Sequence, residues 1–534
     1  MGDPPPVAAL SASPPALRRL SRTWLVAALL VLVGVYLAGG LPGDSASDPL
    51  ADEIQDPIQT VMLVLVAFGG ALAWRWEAVG AAVMTLGAVG LGLVTAFEYP
   101  WTISVGVTLV LAVPAALTGL AWKRSRWRNR AAVVRLAVIV GALVFVEVAT
   151  AQGLHAYYLG PQHPASPATA LPVDGVEWVW SGGVTSREAT VVARVTKPRA
   201  RARLVLEDPA GGRRPSAEVR ADDDGVARMR IDGLSPATRY RYTVEVDGHP
   251  DRSRGRGRLS TFPEGPASFT LAVASCARTG SDGVVFDAIR RLDPLLYLVT
   301  GDLHYQNIGS RDPDDFLGAY HTVLTAPAQA ALYRTVPVDY VWDDHDYGPN
   351  DADAAAPSRA AARRAYRQAV PHPPLPAGPG GAIYHAFTVG RVRVVVTDTR
   401  SERTADTMLG AAQREWLLGE LVRAGEHALV IWVNPDPWID AGRSGKDTWG
   451  GYAAERRQIA DTIASRGIRN LVMVSGDAHM AAIDDGTNSD FATGGGGDFP
   501  VLHAAALDRR GRVKGGPYSH GTFPGPGRFG VVRV

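Results

Sequence analysis

Five hydrophobic runs in the C-terminal half of this 534-residue chain end directly on side chains able to hold a metal ion. Phe269 to Ala274 runs into Ser275-Cys276, and Leu295 to Thr300 into Gly301-Asp302. Tyr340-Val341-Trp342 runs into Asp343-Asp344-His345-Asp346. Leu429 to Val433 leads to Asn434, and Leu471 to Val474 leads to Ser475-Gly476-Asp477-Ala478-His479. Short apolar runs bounded by turn residues read as buried strands, and Val284 to Leu292 has helical period. Folds that alternate strand and helix place their sites at the carboxyl ends of strands. One such strand end carries little weight, whereas five in one domain form a pattern.

The residue types suit a two-metal centre. Two cations about 3.5–4 Å apart can clamp a phosphoryl group and lower the pKa of a water to give hydroxide. Asp302, Asp344, Asn434 and Asp477 offer oxygens, and His479 offers an imidazole. Cys276 offers a thiolate, and Tyr305, three residues after Asp302, a phenolate. Thiolate and phenolate suit a redox-capable iron better than magnesium.

Taken together, Cys276, Gly301-Asp302-x-x-Tyr305, Trp342-Asp343-Asp344-His345-Asp346, Asp398-Thr399-Arg400 and Ser475-Gly476-Asp477-Ala478-His479 resemble the PhoD-like alkaline phosphatase/phosphodiesterase family. The resemblance covers roughly residues 173–534. It implies an α/β metallophosphoesterase fold, a central β-sandwich flanked by helices, that hydrolyses phosphate mono- or diesters with ferric iron and calcium. It implies Cys276 and Tyr305 as iron ligands, Asp302 as the bridge, and Asp477 and His479 as terminal ligands. Asp344 stands where the wider superfamily has a bridging asparagine, and Asn434 where many members have a histidine ligand. His345 would face the scissile phosphate and protonate the leaving oxygen, and Arg278 would contact phosphate. Asp346 departs from the glutamate common in the family, and His304 sits inside the Gly-Asp-x-x-Tyr motif. Asp343, Asp346 and the Asp398 to Arg403 stretch read as supporting charges rather than ligands.

Other elements must carry this half. Residues 173–264 alternate in hydrophobicity, as in Trp178 and Trp180 or Tyr240 to Val246, with Pro, Gly and Asp clusters between runs. That pattern predicts a small antiparallel β-sandwich. Leu234 to Tyr242 followed by Asp247-Gly248 resembles fibronectin type III domains, with the tyrosines packing a corner. A linker at 155–172, rich in Pro and Ala, precedes the sandwich, and a metallophosphatase domain at 265–534 follows it.

The first third is different. Residues 57–122 hold only three charged side chains, Arg75, Glu77 and Glu98. Apolar stretches at roughly 24–41, 57–74, 78–97, 101–122 and 132–152 each approach the ~20 residues that cross a bilayer. A five-helix transmembrane bundle over 24–154 is therefore expected. Arg18, Arg19 and Arg22 precede the first stretch, acidic residues follow it, and five basic residues lie between Lys123 and Arg130. Positive loops stay inside. That places residues 1–23 in the cytoplasm and everything after 155 outside a bacterial plasma membrane.

Composition bounds the alternatives. The net charge of +1 gives no basic field for nucleic acid, and 46% hydrophobic residues exclude a disordered chain. A single cysteine excludes disulfide frameworks within the chain and cysteine-cluster zinc sites. Two rival readings are a non-catalytic receptor or adhesion protein with a degenerate phosphatase fold, and a transporter or sensor driven by its spans. The near-complete ligand set argues against the first. The scarcity of ionisable residues within the spans, beyond Arg135 and Glu147, argues against the second.

Overall fold

The structure, a computed structural model, describes residues 14–37, 49–95, 101–126, 149, 152, 175–440, 447–509, 511 and 513–534. The chain divides into two units, Met1–Asp44 with Leu50–Tyr158, and Ser45–Pro49 with Leu159–Val534.

In the first unit, helices Pro14–Leu37, Pro49–Leu72, Glu77–Thr95 and Trp101–Arg126 overlap the first four apolar stretches. Of the five expected spans, the described residues support one. Among the described residues, only Val105–Trp122 is long and apolar enough to cross a membrane, with a mean hydropathy of 1.9. Val61–Leu72 and Glu77–Leu93 are apolar segments of the longer helices Pro49–Leu72 and Glu77–Thr95. Most of the fifth stretch, including Arg135 and Glu147, and the linker at 155–172 lie outside the described residues.

The second unit is built on three sheets. The first has the strand order Gly530–Arg533, Thr270–Ala274, Leu296–Thr300, Val338–Val341, Val176–Gly182, Ala189–Val195, Val226–Ile231. Its Thr270–Ala274, Leu296–Thr300 and Val338–Val341 strands are parallel neighbours. The second runs His385–Val389, Val392–Val396, Leu429–Asn434, Leu471–Ser475, Val501–Ala504, Met480–Asp484, Thr522–Pro524. Its central strands, from Val392–Val396 to Val501–Ala504, are also parallel. The third pairs Arg201–Glu207 with Arg239–Val246, which in turn pairs with Arg256–Ser260.

The strands expected to form a separate sandwich are present, but they are divided between two sheets. Three of them extend the first sheet through a parallel bridge, Gly182 to Val338. One hydrophobic core then runs from Trp178, Val191 and Val244 to Leu298 and Tyr340. Sheet and core thus continue across residue 264. Tyr240 does form a corner, its hydroxyl accepting from the Ser235 backbone N–H at 2.9 Å. A second core, under helices Gly410–Val422 and Ala453–Ser465, gathers Trp432, Trp438 and Trp449.

Candidate metal centre

The five sequence-predicted strand ends come from both large sheets. Thr270–Ala274, Leu296–Thr300 and Val338–Val341 deliver Cys276, Asp302 and Asp344 from the first sheet. Leu471–Ser475 delivers Asp477 and His479 from the second. Each strand is fully or nearly fully buried, so the chain can turn only at its end. The turns are sharp. Cys276, Asp302, Asp477 and His479 all take left-handed backbone conformations, with φ of 61°, 53°, 66° and 49°. For a residue with a Cβ this costs about 1–3 kcal/mol each, a strain that concentrates at functional sites. Gly301 at φ 93° precedes Asp302, and a Cβ there would lie 2.4 Å from the Asp343 Cβ. Only glycine lets these two strand ends approach so closely.

Among the described residues, three groups hold ligand atoms within 4.8 Å of one another: Cys276, Asp302 and His479; Asp302, Asp344 and His345; and Asp344, Asp351 and Asp447. Asp302 is common to the first two and Asp344 to the last two. Tyr305 joins the first group, its hydroxyl donating to Asp302 Oδ2 at 2.6 Å and lying 2.9 Å from His479 Nε2. Cys276 Sγ lies 3.5 Å from Asp302 Oδ2. Asp302 Oδ1 and His479 Nδ1 are buried without a hydrogen-bond partner. Such orphan atoms are costly unless a ligand meets them.

Charge points the same way. Asp302, Asp343, Asp344, Asp346, Asp436, Asp447 and Asp477 are buried together. Among the described residues, Arg400, Arg403, Arg509 and Lys514 supply positive charge beside these carboxylates. Burial and neighbouring carboxylates push Asp302 well above the usual range, and burial with Asp302 does the same to Cys276 and Tyr305. Burial raises Asp477 to about 7 despite the Lys514 ammonium. Burial also raises Asp344, but His345 and Arg400 outweigh it and hold that carboxyl below its ordinary value. Burial, Arg509 and Lys514 keep the His479 imidazole neutral, the form that binds metals. This donor set fits metal cations. The first group offers sulfur, nitrogen and oxygen, whereas the third offers only carboxylate oxygen.

The supporting residues have distinct tasks. Asp346 accepts from the backbone N–H groups of Asp343 at 2.7 Å and Leu303 at 2.9 Å, and from the Tyr340 hydroxyl at 2.7 Å. It ties the 302 turn to the 344 turn. Arg400, fully buried, reaches Asp343 at 2.5 Å, Asp436 at 3.0 Å and both oxygens of Asp447. His503 anchors the 476–479 turn, with Nδ1 2.8 Å from Ser475 Oγ and Nε2 accepting from the Ala478 N–H at 3.2 Å. His345 Nδ1 lies 2.5 Å from Asn307 Oδ1. With the amide oxygen toward the ring, Nδ1 carries the proton, so Nε2 is the nitrogen that can exchange one. Arg278 stands at the rim with its side chain 38% exposed, its own N–H donating to Asp508 at 2.7 Å.

Two expected ligands have other partners. Asn434 donates from Nδ2 to the Asp436 carbonyl at 2.5 Å and accepts at Oδ1 from Trp449 Nε1 at 3.1 Å. Asp477 Oδ2 accepts from the Lys514 ammonium at 2.7 Å. Sequence reading passed over Asn307, Asp351, Arg509 and Lys514. Lys514 is one of only four lysines and directly precedes Gly515-Gly516-Pro517-Tyr518. A separate cleft of about 990 Å³, lined by Arg228, Pro263, His372 and Phe387 among others, contains none of these site residues.

Residues 271–499 match the PhoD-like phosphatase family. All the candidate ligands lie within this PhoD-like segment, whereas Arg509 and Lys514 lie beyond it. Alkaline phosphatase D of Bacillus subtilis (strain 168) is 29% identical over 314 residues, 47% of this chain and 53% of that protein. The chain thus spans about half the length of the curated relative it matches. A solved structure of PhoD superposes with a TM-score of 0.55 at 19% identity, covering 64% of this chain and 78% of that one. A purple acid phosphatase from yellow lupin (Lupinus luteus) seeds superposes with a TM-score of 0.50 at 12% identity, covering 68% and 70%. These likenesses establish a PhoD and purple acid phosphatase type of fold for the sheet-rich unit.

Proposed function

We propose that this chain is a metal-dependent phosphoesterase of the PhoD-like kind, acting on phosphate mono- or diesters. The observation that carries this reading is the convergence of Cys276, Asp302, Tyr305 and His479 on one point, with Asp302 shared by the Asp344–His345 group. The first group would hold ferric iron, and Asp302, Asp344 and neighbouring carboxylates a harder cation such as calcium. Bound there, metal ions supply Lewis acidity toward a phosphoryl oxygen and toward water.

The chain's own residues do the rest. Arg400 holds the Asp343, Asp436 and Asp447 carboxylates in place, so the ligand turns are set before substrate arrives. Asn307 orients His345 so that Nε2 can deliver a proton to the departing oxygen. Arg278, at the rim, provides a planar cation for phosphate. The N-terminal helical unit is proposed to hold the enzyme on the membrane, with the catalytic unit on the extracytoplasmic side. The apolar Val105–Trp122 helix and the basic residues flanking the helices support that placement.

The decisive experiment assays the purified full chain with a chromogenic phosphate monoester and diester, before and after metal stripping, beside Asp302→Asn. Metal-dependent turnover that Asp302→Asn eliminates supports the reading. Full activity in Asp302→Asn, or no hydrolysis of either ester by the metal-loaded chain, overturns it. Protease protection of the 175–534 region in intact cells tests its side of the membrane.

A further inference from the structure

The carboxylates at one end of the site are served by a cation that the chain itself supplies. Lys514 Nζ donates to Asp477 Oδ2 at 2.7 Å, with the lysine side chain only 9% exposed and that of Asp477 3% exposed. The charges of Asp477, Asp447 and Asp351 act on this ammonium together and outweigh the effect of burial. Asp351 and Asp447 belong, with Asp344, to the group made only of carboxylates. A hard divalent ion prefers such an all-oxygen set, and an ammonium is a compact point charge of the same sign.

The segment that brings Lys514 here is fastened at several points. The Leu507 N–H donates to the Ser275 carbonyl at 3.2 Å, and Asp508 Oδ1 accepts from the Arg278 N–H. Gly511 packs on His479 so closely that a Cβ would lie 2.1 Å from the His479 Cβ. The Gly516 N–H donates to the Ile439 carbonyl at 2.8 Å. Arg509 lies over the Tyr305 ring at 4.3 Å. Lys514 is thus held against the carboxylates from both sides along the chain, which sets it apart from a long side chain folded down from the surface.

We infer that Lys514 is a built-in cation that takes the part of a divalent ion among Asp477, Asp447 and Asp351. It limits how many hard cations the site admits and leaves the sulfur-containing Cys276 group to its own metal. This inference concerns cation stoichiometry and holds whether or not the site hydrolyses phosphate esters.

The test measures metal binding by the full chain in detergent. Calcium uptake is followed by titration calorimetry after hard cations are chelated, and iron by elemental analysis, for the wild type, Lys514→Met and Lys514→Arg. Methionine keeps much of the apolar stem and removes the charge, whereas arginine retains the charge. Lys514→Met should bind one more calcium ion per chain, or bind calcium at least about tenfold more tightly, with iron content unchanged. Lys514→Arg should match the wild type. Its melting temperature should also rise less with calcium than that of Lys514→Met, because a ligand that binds only the folded state stabilises it. Equal calcium stoichiometry and affinity in wild type and Lys514→Met would overturn the inference. So would weaker calcium binding by Lys514→Met, because Lys514 would then support a divalent ion instead of replacing it. Failure of Lys514→Met to fold at any calcium concentration, while Lys514→Arg folds, also counts against it.

Discussion

The Arg400 guanidinium meets the Asp447 carboxylate along both oxygens, Nη1 at 2.7 Å and Nη2 at 3.0 Å, with both side chains buried. The same guanidinium also reaches Asp343 and Asp436. One planar cation therefore joins the turn after Val338–Val341 to residues beyond Leu429–Asn434, which belong to different sheets. Arg400→Met would leave three buried carboxylates without their main partner. Removing one member of a buried ionic group costs about 3–5 kcal/mol. Urea denaturation should show a loss of that size, and Arg400→Lys should recover only part of it, because an ammonium cannot bond both oxygens in a plane. A loss under about 1 kcal/mol would show that Arg400 does not hold the two sheets together.

Asp302 is the hinge between the first two ligand groups, so its replacement should be felt in both. Asp302→Asn is expected to lower iron and divalent metal content together. Tyr305→Phe touches only the first group, removing the hydroxyl that bonds Asp302 and meets His479. It should lower iron content and leave the divalent content near that of the wild type. Elemental analysis of the two purified variants decides this, and parallel losses in Tyr305→Phe would show that the groups are not separable.

Away from the metal site, His385 and Asp339 make a pH-dependent clamp. His385 Nε2 lies 3.0 Å from Asp339 Oδ1, linking a strand of the second sheet to one of the first. Burial alone would lower the His385 pKa, but the Asp339 carboxylate more than compensates and lifts it above the ordinary 6.5. A raised folded-state pKa gives stability that is fully present below 6.5 and lost as pH rises through the raised value. The melting temperature of the wild type should therefore exceed that of Asp339→Asn most between about pH 5 and the ordinary histidine value. The gap should narrow at higher pH. A gap independent of pH would assign the pair a purely packing role.

How much of this was legible in the sequence differs from residue to residue. The strand ends were legible because a buried strand is a short apolar run, and polar residues must begin where burial ends. Cys276, Asp302, Asp344 and His479 were all found this way. The union of Val176–Gly182 with the first sheet was not, because alternation marks a strand without naming its neighbour. Lys514 and Arg509 were missed because they reach the site from an irregular segment, where no periodicity relates a residue to what it touches. Apolar length likewise revealed helices in the first third, of which Val105–Trp122 is, among the described residues, the one long and apolar enough to cross a membrane.

Asn434 stands at a strand end with both ends of its carboxamide engaged by protein partners. Its carboxamide donates to the Asp436 carbonyl and accepts from Trp449 Nε1, and Trp449 packs on Trp438 with ring centroids 5.2 Å apart. The side chain thereby fixes the turn that presents Asp436 to Arg400. Asn434→Ala would leave the buried Trp449 N–H without an acceptor, which costs about 1–3 kcal/mol. Chemical denaturation should show that loss, and elemental analysis should show metal content close to the wild type. If Asn434→Ala instead sheds metal while its stability is unchanged, the asparagine is a ligand, and its bonds to Trp449 and Asp436 must give way when metal binds.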